Sequence, residues 1–166
     1  RAVGFCGLAD LLCGFFLCFG GGAAAFAAPS VEEMAGQMLL VGFKGQEPEE
    51  CGAILRDIQA RHLGGVILFK RDARNAKLPR NIRDAAQVKR LIAALRGASA
   101  GHPLFVAVDQ EGGKVARFQP GDGFPAYPSA AELGRGTPDA TRRTALDMGR
   151  MLRELGVNLN FAPVLD

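Results

Sequence analysis

The sequence predicts an α/β fold, and three patterns along the chain support that prediction. Short apolar runs rich in β-branched and aromatic residues, at 66–69 and 104–108, suit buried strands. Stretches with apolar residues at helical spacing alternate with these runs, and glycine- or proline-rich stretches separate the two. Because strands that alternate with helices pair in parallel through right-handed crossovers, we expect one parallel sheet covered by helices.

The first element is a short helix predicted at Ser30. Ser30 and Glu33 have capping-box spacing, and Met34, Met38 and Val41 follow at helical intervals. Residues 39–43 also fit a first strand, and periodicity does not decide between the two.

Two helix–strand units are predicted next. The first is a helix over 49–62, which Gly64-Gly65 ends, and a strand over 66–69. In the second, Pro79 suits the first turn of a helix and Gly97 stops it before the strand at 104–108. The apolar stripe of this second helix consists of Val88, Leu91, Ile92 and Leu95.

A Gly/Pro-rich loop over 119–136 precedes the last predicted unit. Thr137 and Pro138 supply an N-cap and a first helical residue, and Gly156 is expected to cap the end of that helix. A strand over 157–165 should follow. About four βα units fit this chain, whereas a closed barrel needs eight and about 250 residues. We therefore predict the N-terminal part of a TIM-like (β/α)8 barrel, incomplete in this chain.

A doubly wound open sheet is the rival architecture. No G-x-G-x-x-G or P-loop spacing follows any predicted strand, and Gly112-Gly113 alone is weak support for a phosphate cradle.

Residues 1–27 differ from the rest and are interpreted as a signal peptide, with the barrel segment over 28–166. Arg1 and Asp10 are their only charges, an apolar run covers 11–19, and Ala25-Phe26-Ala27 has the small-x-small pattern of a cleavage site. We expect an exported, periplasmic or extracellular protein. A lipoprotein or membrane anchor, or an upstream extension on a cytoplasmic protein, is the alternative; the apolar run is too short for a stable membrane span.

Both ends look cut, because the chain starts with Arg and stops within a predicted strand.

Cysteine and charge usage exclude several functions. Only Cys51 lies outside the leader, so no internal disulfide or cysteine metal site is predicted, and Cys51 is expected to be buried on a helix. Nine basic residues face two acids between Lys70 and Arg96, but no aromatic residue follows Phe69 in that stretch. We interpret it as a solvated helix face rather than a nucleic-acid site.

The strongest candidate site follows the strand at 104–108. In a barrel, Asp109, Gln110 and Glu111 would lie at the rim of the pocket together with Asp166. Asp109 could accept two sugar hydroxyls, and Arg117 could fold back across the Gly-Gly turn to hold it. Alternatively, Asp109 caps a helix and Arg117 lies on the surface.

Two further groupings look weaker. Asp109 and Glu111 would share one face of a strand unless the turn intervenes, and we do not expect them to form a catalytic acid/base pair. His62 and His102, the only histidines, each precede a strand, at the end opposite the expected pocket. We expect both to be ordinary loop residues.

Two separated motifs resemble glycoside hydrolase family 3, most closely its β-N-acetylhexosaminidase branch. They are Val108-Asp-Gln-Glu-Gly-Gly-Lys-Val-Ala-Arg117 and Gly156-Val-Asn-Leu-Asn-Phe-Ala-Pro-Val-Leu-Asp166. Gly64-Gly-Val-Ile-Leu-Phe69 and Gly123-Phe-Pro125 also match. Lys114 departs from the pattern, because the family usually has arginine there.

The resemblance implies a retaining glycosidase acting on N-acetylglucosamine in peptidoglycan fragments, without a cofactor or metal. It assigns substrate binding to Asp109 and Arg117, and it places the nucleophile, the acid/base histidine and a Lys-His motif beyond Asp166. A β-glucosidase or xylosidase of the same family, or a non-catalytic sugar-binding barrel, stays open as an alternative. The expected partner is a carbohydrate rather than nucleic acid, and the oligomeric state is unknown.

Overall fold

The computed structural model describes residues 28–163. The predicted signal peptide at 1–27 and the residues 164–166, which include Asp166, lie outside the described part. No helix in the described range is both long and apolar enough to cross a lipid bilayer.

Within residues 28–163, four parallel strands form the central sheet. They are β1 (Leu40–Gly42), β2 (Gly65–Leu68), β3 (Phe105–Val108) and β6 (Leu159–Asn160). The strands lie side by side in the order in which they occur along the chain. A doubly wound sheet would reverse its order at a switch point. The sequential order therefore confirms the predicted barrel segment and makes the open-sheet alternative wrong.

Helices precede or connect these strands. Helix α1 (Val31–Gln37) leads into β1, α2 (Gly52–Arg61) connects β1 to β2, and α3 (Ala85–Ala98) connects β2 to β3. Between β3 and β6 lie a hairpin of β4 (Gln110–Gly112) and β5 (Val115–Ala116), the short α4 (Ala130–Leu133) and α5 (Pro138–Leu155). The 3₁₀ turns Pro48–Cys51 and Pro120–Asp122 complete the connections.

The hydrophobic core lies between the sheet and the helices. Val66 pairs with Val106 and Leu68 with Val108 in register, and all four are fully buried. Apolar residues of the helices cover them: Ile58, Val88, Leu91, Leu95, Leu152 and Leu155. Residues on a strand alternate between faces, and Phe105 is 53% exposed on the other face. That face corresponds to the inside of a barrel.

Three predicted boundaries are wrong. Helix α3 begins after Asp84, whose side chain accepts a hydrogen bond from the Gln87 N–H, while Pro79 pairs with Arg71 in a preceding loop. Gly97 lies inside the helix, and the chain turns instead at Ala100 and Gly101, which have positive φ. The described part of the last strand is also shorter than predicted, because only Leu159–Asn160 pairs with β3.

Candidate functional site

Asp109 lies at the carboxyl end of β3, where the parallel strands of a barrel present their functional side chains. The residue after it is fixed to the neighbouring strand. Asn160 accepts a hydrogen bond from the Gln110 N–H at 2.9 Å and donates one to the Gln110 carbonyl at 3.0 Å. Asp109 therefore lies between Val108, which pairs with Asn160 in the sheet, and Gln110, which the Asn160 side chain holds.

Gln110 brings the distant Arg117 back to this position. The Gln110 side chain is fully buried, and its Oε1 accepts hydrogen bonds from the backbone N–H groups of Arg117 and Phe118 at 2.9 and 3.0 Å. Its Nε2 donates to the Phe118 carbonyl at 3.1 Å. These three bonds hold the chain at 117–118 beside the end of β3.

The result is an ion pair between Arg117 and Asp109. Arg117 Nη2 donates to Asp109 Oδ2 at 2.8 Å, and the two side chains are 32% and 21% exposed. The guanidinium also lies 5.7 Å from the Phe69 ring centroid, within cation–π range. The structure thus brings the two predicted site residues together. The alternative, in which Asp109 caps a helix and Arg117 lies on the surface, is wrong.

Arg117 keeps one donor without a partner. Its Nε is buried and makes no hydrogen bond with any described residue. An unpaired buried donor costs on the order of 1–3 kcal/mol, and native structures leave few buried polar groups without a partner.

The Gly112-Gly113 turn has a structural role. Both residues have positive φ, and a Cβ on Gly112 would lie 2.2 Å from the Pro128 carbonyl oxygen. The Gly113 N–H already donates to the Tyr127 carbonyl at 2.8 Å. The turn therefore packs against the chain at 127–129, and the Gly113 N–H is not available to bind a phosphate.

A basic cleft of about 440 Å³ lies beside the Asp109–Arg117 pair. Its lining includes four basic side chains and three others: Arg117, Lys70, Arg71 and Arg80, with Phe69, Asp72 and Gln119. Lys70 is paired with Asp122 and donates to Gln119 Oε1 at 2.8 Å. Hydrogen bonding from Lys44 lowers the pKa of Asp72 to about 2, so this carboxylate stays ionised at neutral pH.

The basic stretch is only partly the helix face predicted from the sequence. Lys89, Arg90 and Arg96 lie on α3, but the other six basic residues precede it. Arg80 stacks on Phe69, with its guanidinium carbon 4.9 Å from the ring centroid, and donates to the Phe43 carbonyl at 2.7 Å. Several of these cations thus line the cleft, because the helix begins later than Pro79.

Glu111 lies apart from Asp109. It lines a second cleft of about 580 Å³ with Lys114, Glu132 and Arg135. Asp109 does not line this second cleft, and it pairs instead with Arg117, which lines the basic cleft. That the two carboxylates do not form a catalytic pair stays a prediction. Asp166, the other predicted rim residue, lies outside the described residues.

Three asparagines that organise this edge were not predicted. Asn158 accepts from the Val106 N–H at 2.7 Å and donates to the Leu104 carbonyl at 3.0 Å, and Asn160 repeats that pattern at Gln110. The fully buried Asn81 connects the ends of β1 and β2 through Phe43, Gly45 and Phe69. The i, i+2 spacing of Asn158 and Asn160 was the available signal, since it places both on one side of a strand.

Cys51 is buried, as predicted. Burial and the nearby Glu50 and Glu49 raise the pKa of its thiol to about 11. At neutral pH it is therefore protonated and a poor nucleophile. His62 and His102 lie before β2 and β3 at the end of the sheet opposite Asp109, as expected.

Comparison with known proteins agrees with this geometry. The family model for the glycosyl hydrolase family 3 N-terminal domain matches residues 30–166. The chain belongs to glycoside hydrolase family 3. Among family 3 relatives, a beta-hexosaminidase of Xanthomonas euvesicatoria pv. vesicatoria is 39% identical over 137 residues, which cover 78% of this chain and 36% of that protein. A beta-hexosaminidase of Bordetella pertussis is 42% identical over 111 residues, covering 63% and 28%.

Solved family 3 structures resemble the fold as well. A beta-N-acetylhexosaminidase from Beutenbergia cavernae superimposes with a TM-score of 0.63 at 38% identity, covering 84% of this chain and 39% of that one. A fungal multi-domain GH3 beta-N-acetylglucosaminidase gives a TM-score of 0.71 at 39% identity, with 82% and 15% covered. The chain thus spans between 28% and 36% of the length of these curated relatives.

Proposed function

We propose that this chain is the N-terminal part of a retaining β-N-acetylhexosaminidase, which removes terminal β-linked N-acetylglucosamine. The observation that carries the proposal is the Asp109–Arg117 ion pair at the carboxyl end of β3. The pair lies on the edge of the sheet where barrel enzymes bind substrates. The names of the family 3 relatives support the acetamido sugar over glucose.

In this proposal Asp109 is the sugar-binding carboxylate. Arg117 Nη2 occupies one side of Oδ2, and no described residue donates to Oδ1. A carboxylate has about four acceptor sites, so it can still accept bonds from two sugar hydroxyls. The buried Arg117 Nε–H, which has no partner among residues 28–163, is a donor that bound substrate or the surrounding protein can satisfy.

The retaining reaction needs a nucleophile and an acid/base, and we assign neither to a described residue. The Asp109–Arg117 pair holds the sugar in place during that reaction. Peptidoglycan-derived muropeptides are the proposed substrates, and the leader at 1–27 supports export to the compartment where such fragments occur.

The substitution Asp109→Asn in the complete protein tests the binding role. It keeps the shape of the side chain but removes the charge that strengthens bonds to hydroxyls and pairs with Arg117. Charge-assisted hydrogen bonds contribute about 1.5–3 kcal/mol each, so kcat/KM for para-nitrophenyl N-acetyl-β-glucosaminide should fall roughly 100-fold. The assay also includes the matching β-glucoside.

Asp57→Asn is the matched control, because Asp57 is half exposed on α2 and, among residues 28–163, pairs only with Arg61. It should leave kcat/KM unchanged. Hydrolysis of the β-glucoside alone would move the protein to another branch of the family. If the folded, complete protein cleaves neither substrate, the enzyme proposal fails and the barrel is better explained as a sugar-binding protein.

A further inference from the structure

Three side chains that can bind a metal ion converge at the amino-terminal end of the strands. They are Glu33, His62 and His102, and one ligand atom from each lies within 4.8 Å of the other two. Each residue belongs to a segment that leads into a different strand, β1, β2 or β3. This metal-ligand cluster is at the end of the sheet opposite Asp109, so it does not belong to the proposed sugar site.

Glu33 is oriented by the capping box of α1. Its Oε2 accepts the Ser30 N–H at 2.7 Å, and the Ser30 hydroxyl accepts the Glu33 N–H at 3.1 Å. The other oxygen, Oε1, faces His62 Nε2 at 3.9 Å. The cap thus uses one carboxylate oxygen and presents the second to the histidines.

The backbones of both histidines are held by turns. His62 is the C-cap of α2 in a left-handed conformation with φ 51°, and its carbonyl accepts Gln37 Nε2 at 2.8 Å. At Gly36, a Cβ would lie 1.8 Å from the Arg61 carbonyl oxygen, so α1 and α2 touch directly here. The His102 N–H donates to the Ser99 carbonyl at 3.0 Å. Hydrogen bonds therefore hold the Glu33 carboxylate and the backbones of both histidines.

The distances fit an ion better than direct hydrogen bonds. A hydrogen bond between Glu33 and His62 would need about 2.7–3.2 Å, and the observed separation is 3.9 Å. The two imidazole rings meet edge to face with centroids 5.3 Å apart, so they do not stack. With metal–ligand bonds of about 2.0–2.2 Å, a tetrahedral ion separates its ligand atoms by roughly 3.3–3.5 Å. Small side-chain rotations would bring the cluster to that spacing.

We propose that Glu33, His62 and His102 form a binding site for a divalent transition-metal ion of the zinc class. Two imidazoles and one carboxylate suit Zn²⁺, whereas Mg²⁺ and Ca²⁺ prefer oxygen ligands alone. Three protein ligands leave a fourth position for water. His102 is exposed and the other two are half-buried, so the ion exchanges with solvent. It links the start of α1 to the loops before β2 and β3.

The test measures binding of Zn²⁺ by calorimetry and of Co²⁺ by its visible absorption, using the complete protein. Three variants each remove one ligand and preserve the local backbone. Glu33→Gln retains a residue that suits a capping box, His62→Asn retains one that tolerates left-handed backbone, and His102→Gln changes an exposed turn. Loss of a residue that only hydrogen-bonds to a metal ligand costs roughly 10–100-fold in metal affinity. Loss of a ligand itself should therefore weaken binding by about tenfold or more.

Glu32→Gln is the matched control, because Glu32 lies in the same first turn of α1 but outside the cluster. It should bind both metals like the unaltered protein. Unfolding midpoints measured without metal establish that the variants fold. The proposal is overturned if the unaltered protein binds neither ion at micromolar concentration. It is equally overturned if any one of the three ligand variants binds as tightly as Glu32→Gln.

Discussion

Gln110 is the residue on which the geometry of the proposed sugar site depends. Its side chain makes three hydrogen bonds to the backbone at 117–118, accepting two and donating one. An amide can do both at once, whereas a carboxylate only accepts. The ion pair between Arg117 and Asp109 therefore depends on Gln110. This buried neutral side chain bonds to the backbone at 117–118 and to neither charged group.

Gln110→Glu should unfold the protein more easily, although it changes one atom of the side chain. The new oxygen faces the Phe118 carbonyl where the Nε2 donor was, and a buried charge replaces a neutral group. A buried group left without its bond costs on the order of 1–3 kcal/mol, and more when charged. We expect the free energy of unfolding in urea to fall by about 2 kcal/mol or more.

Gln59→Glu makes the same change on the exposed side of α2 and should alter stability little. Equal stability of the two variants would contradict the role given to Gln110.

At the residue scale, a contact could be predicted where the spacing of two charged residues indicated it. Asp109 and Arg117 could be paired because a Gly-Gly turn between them indicates a reversal. Gln110 could not be recognised as the organiser, since a glutamine at a strand end is usually exposed. Its burial follows from the hairpin folding over it, which no local pattern encodes.

At the scale of elements, helix termini are the best-defined local features. Ser30, Asp84, Ser129 and Thr137 each accept a hydrogen bond from a backbone N–H in the first turn of their helix. The longest helix, α5, combines the Thr137 cap with Pro138 at its first turn and Gly156 in a left-handed C-cap. These residues define both ends of the helix, and the chain then continues into β6, which pairs with β3.

Thr137→Ala should destabilise the protein by about 1 kcal/mol, because the Ala140 N–H loses its acceptor. Thr144→Ala makes the same chemical change in the middle of α5 and should be neutral or stabilising by a few tenths of a kcal/mol, since alanine is the better helix former. Urea unfolding confirms the cap if Thr137→Ala is about 1 kcal/mol less stable than Thr144→Ala, and equal stability of the two variants refutes it.

The boundaries that sequence patterns missed have physical explanations. Pro79 suits a helix start, but the chain first forms a loop in which Pro79 pairs with Arg71, and α3 begins at the Asp84 cap. Gly97 does not end the helix, because its backbone stays helical and the positive-φ residues come later. Tertiary contacts of the 70–82 loop, such as those of Asn81 and Arg80, decide the first case. They join residues far apart in sequence.

The whole molecule depends on ionised carboxylates at its loops and helix ends. A hydrogen bond from Arg83 lowers the pKa of Glu47, and one from the Gln87 N–H lowers the pKa of Asp84. A hydrogen bond from Lys44 lowers the pKa of Asp72 to about 2. In each case the folded pKa lies below the unfolded one. The unfolded chain therefore binds more protons in acid, and stability rises with pH there.

Unfolding free energy should be constant near neutral pH and fall as the pH drops from about 5 towards 2. Asp72 contributes its part of this loss because its unfolded pKa is near 3.8 and its folded pKa about 2. Asp72→Asn should flatten the dependence in that window, as measured by urea titrations at a series of pH values. Lys44→Gln should flatten it less, because the Arg74 N–H still donates to the Asp72 carboxylate at 2.8 Å. A slope unchanged in both variants would contradict the assignment.

The pairing of β6 with β3 has a consequence for the position of Asp109. Two side-chain amides, at Asn158 and Asn160, replace backbone partners along the edge of β3. A slip of one residue would present Leu159 instead, and both pairs of hydrogen bonds would fail together. Alignment of this strand thus depends on polar side chains as well as on backbone pairing. Asn160 also holds Gln110, so the same alignment determines where the adjacent Asp109 lies at the end of β3.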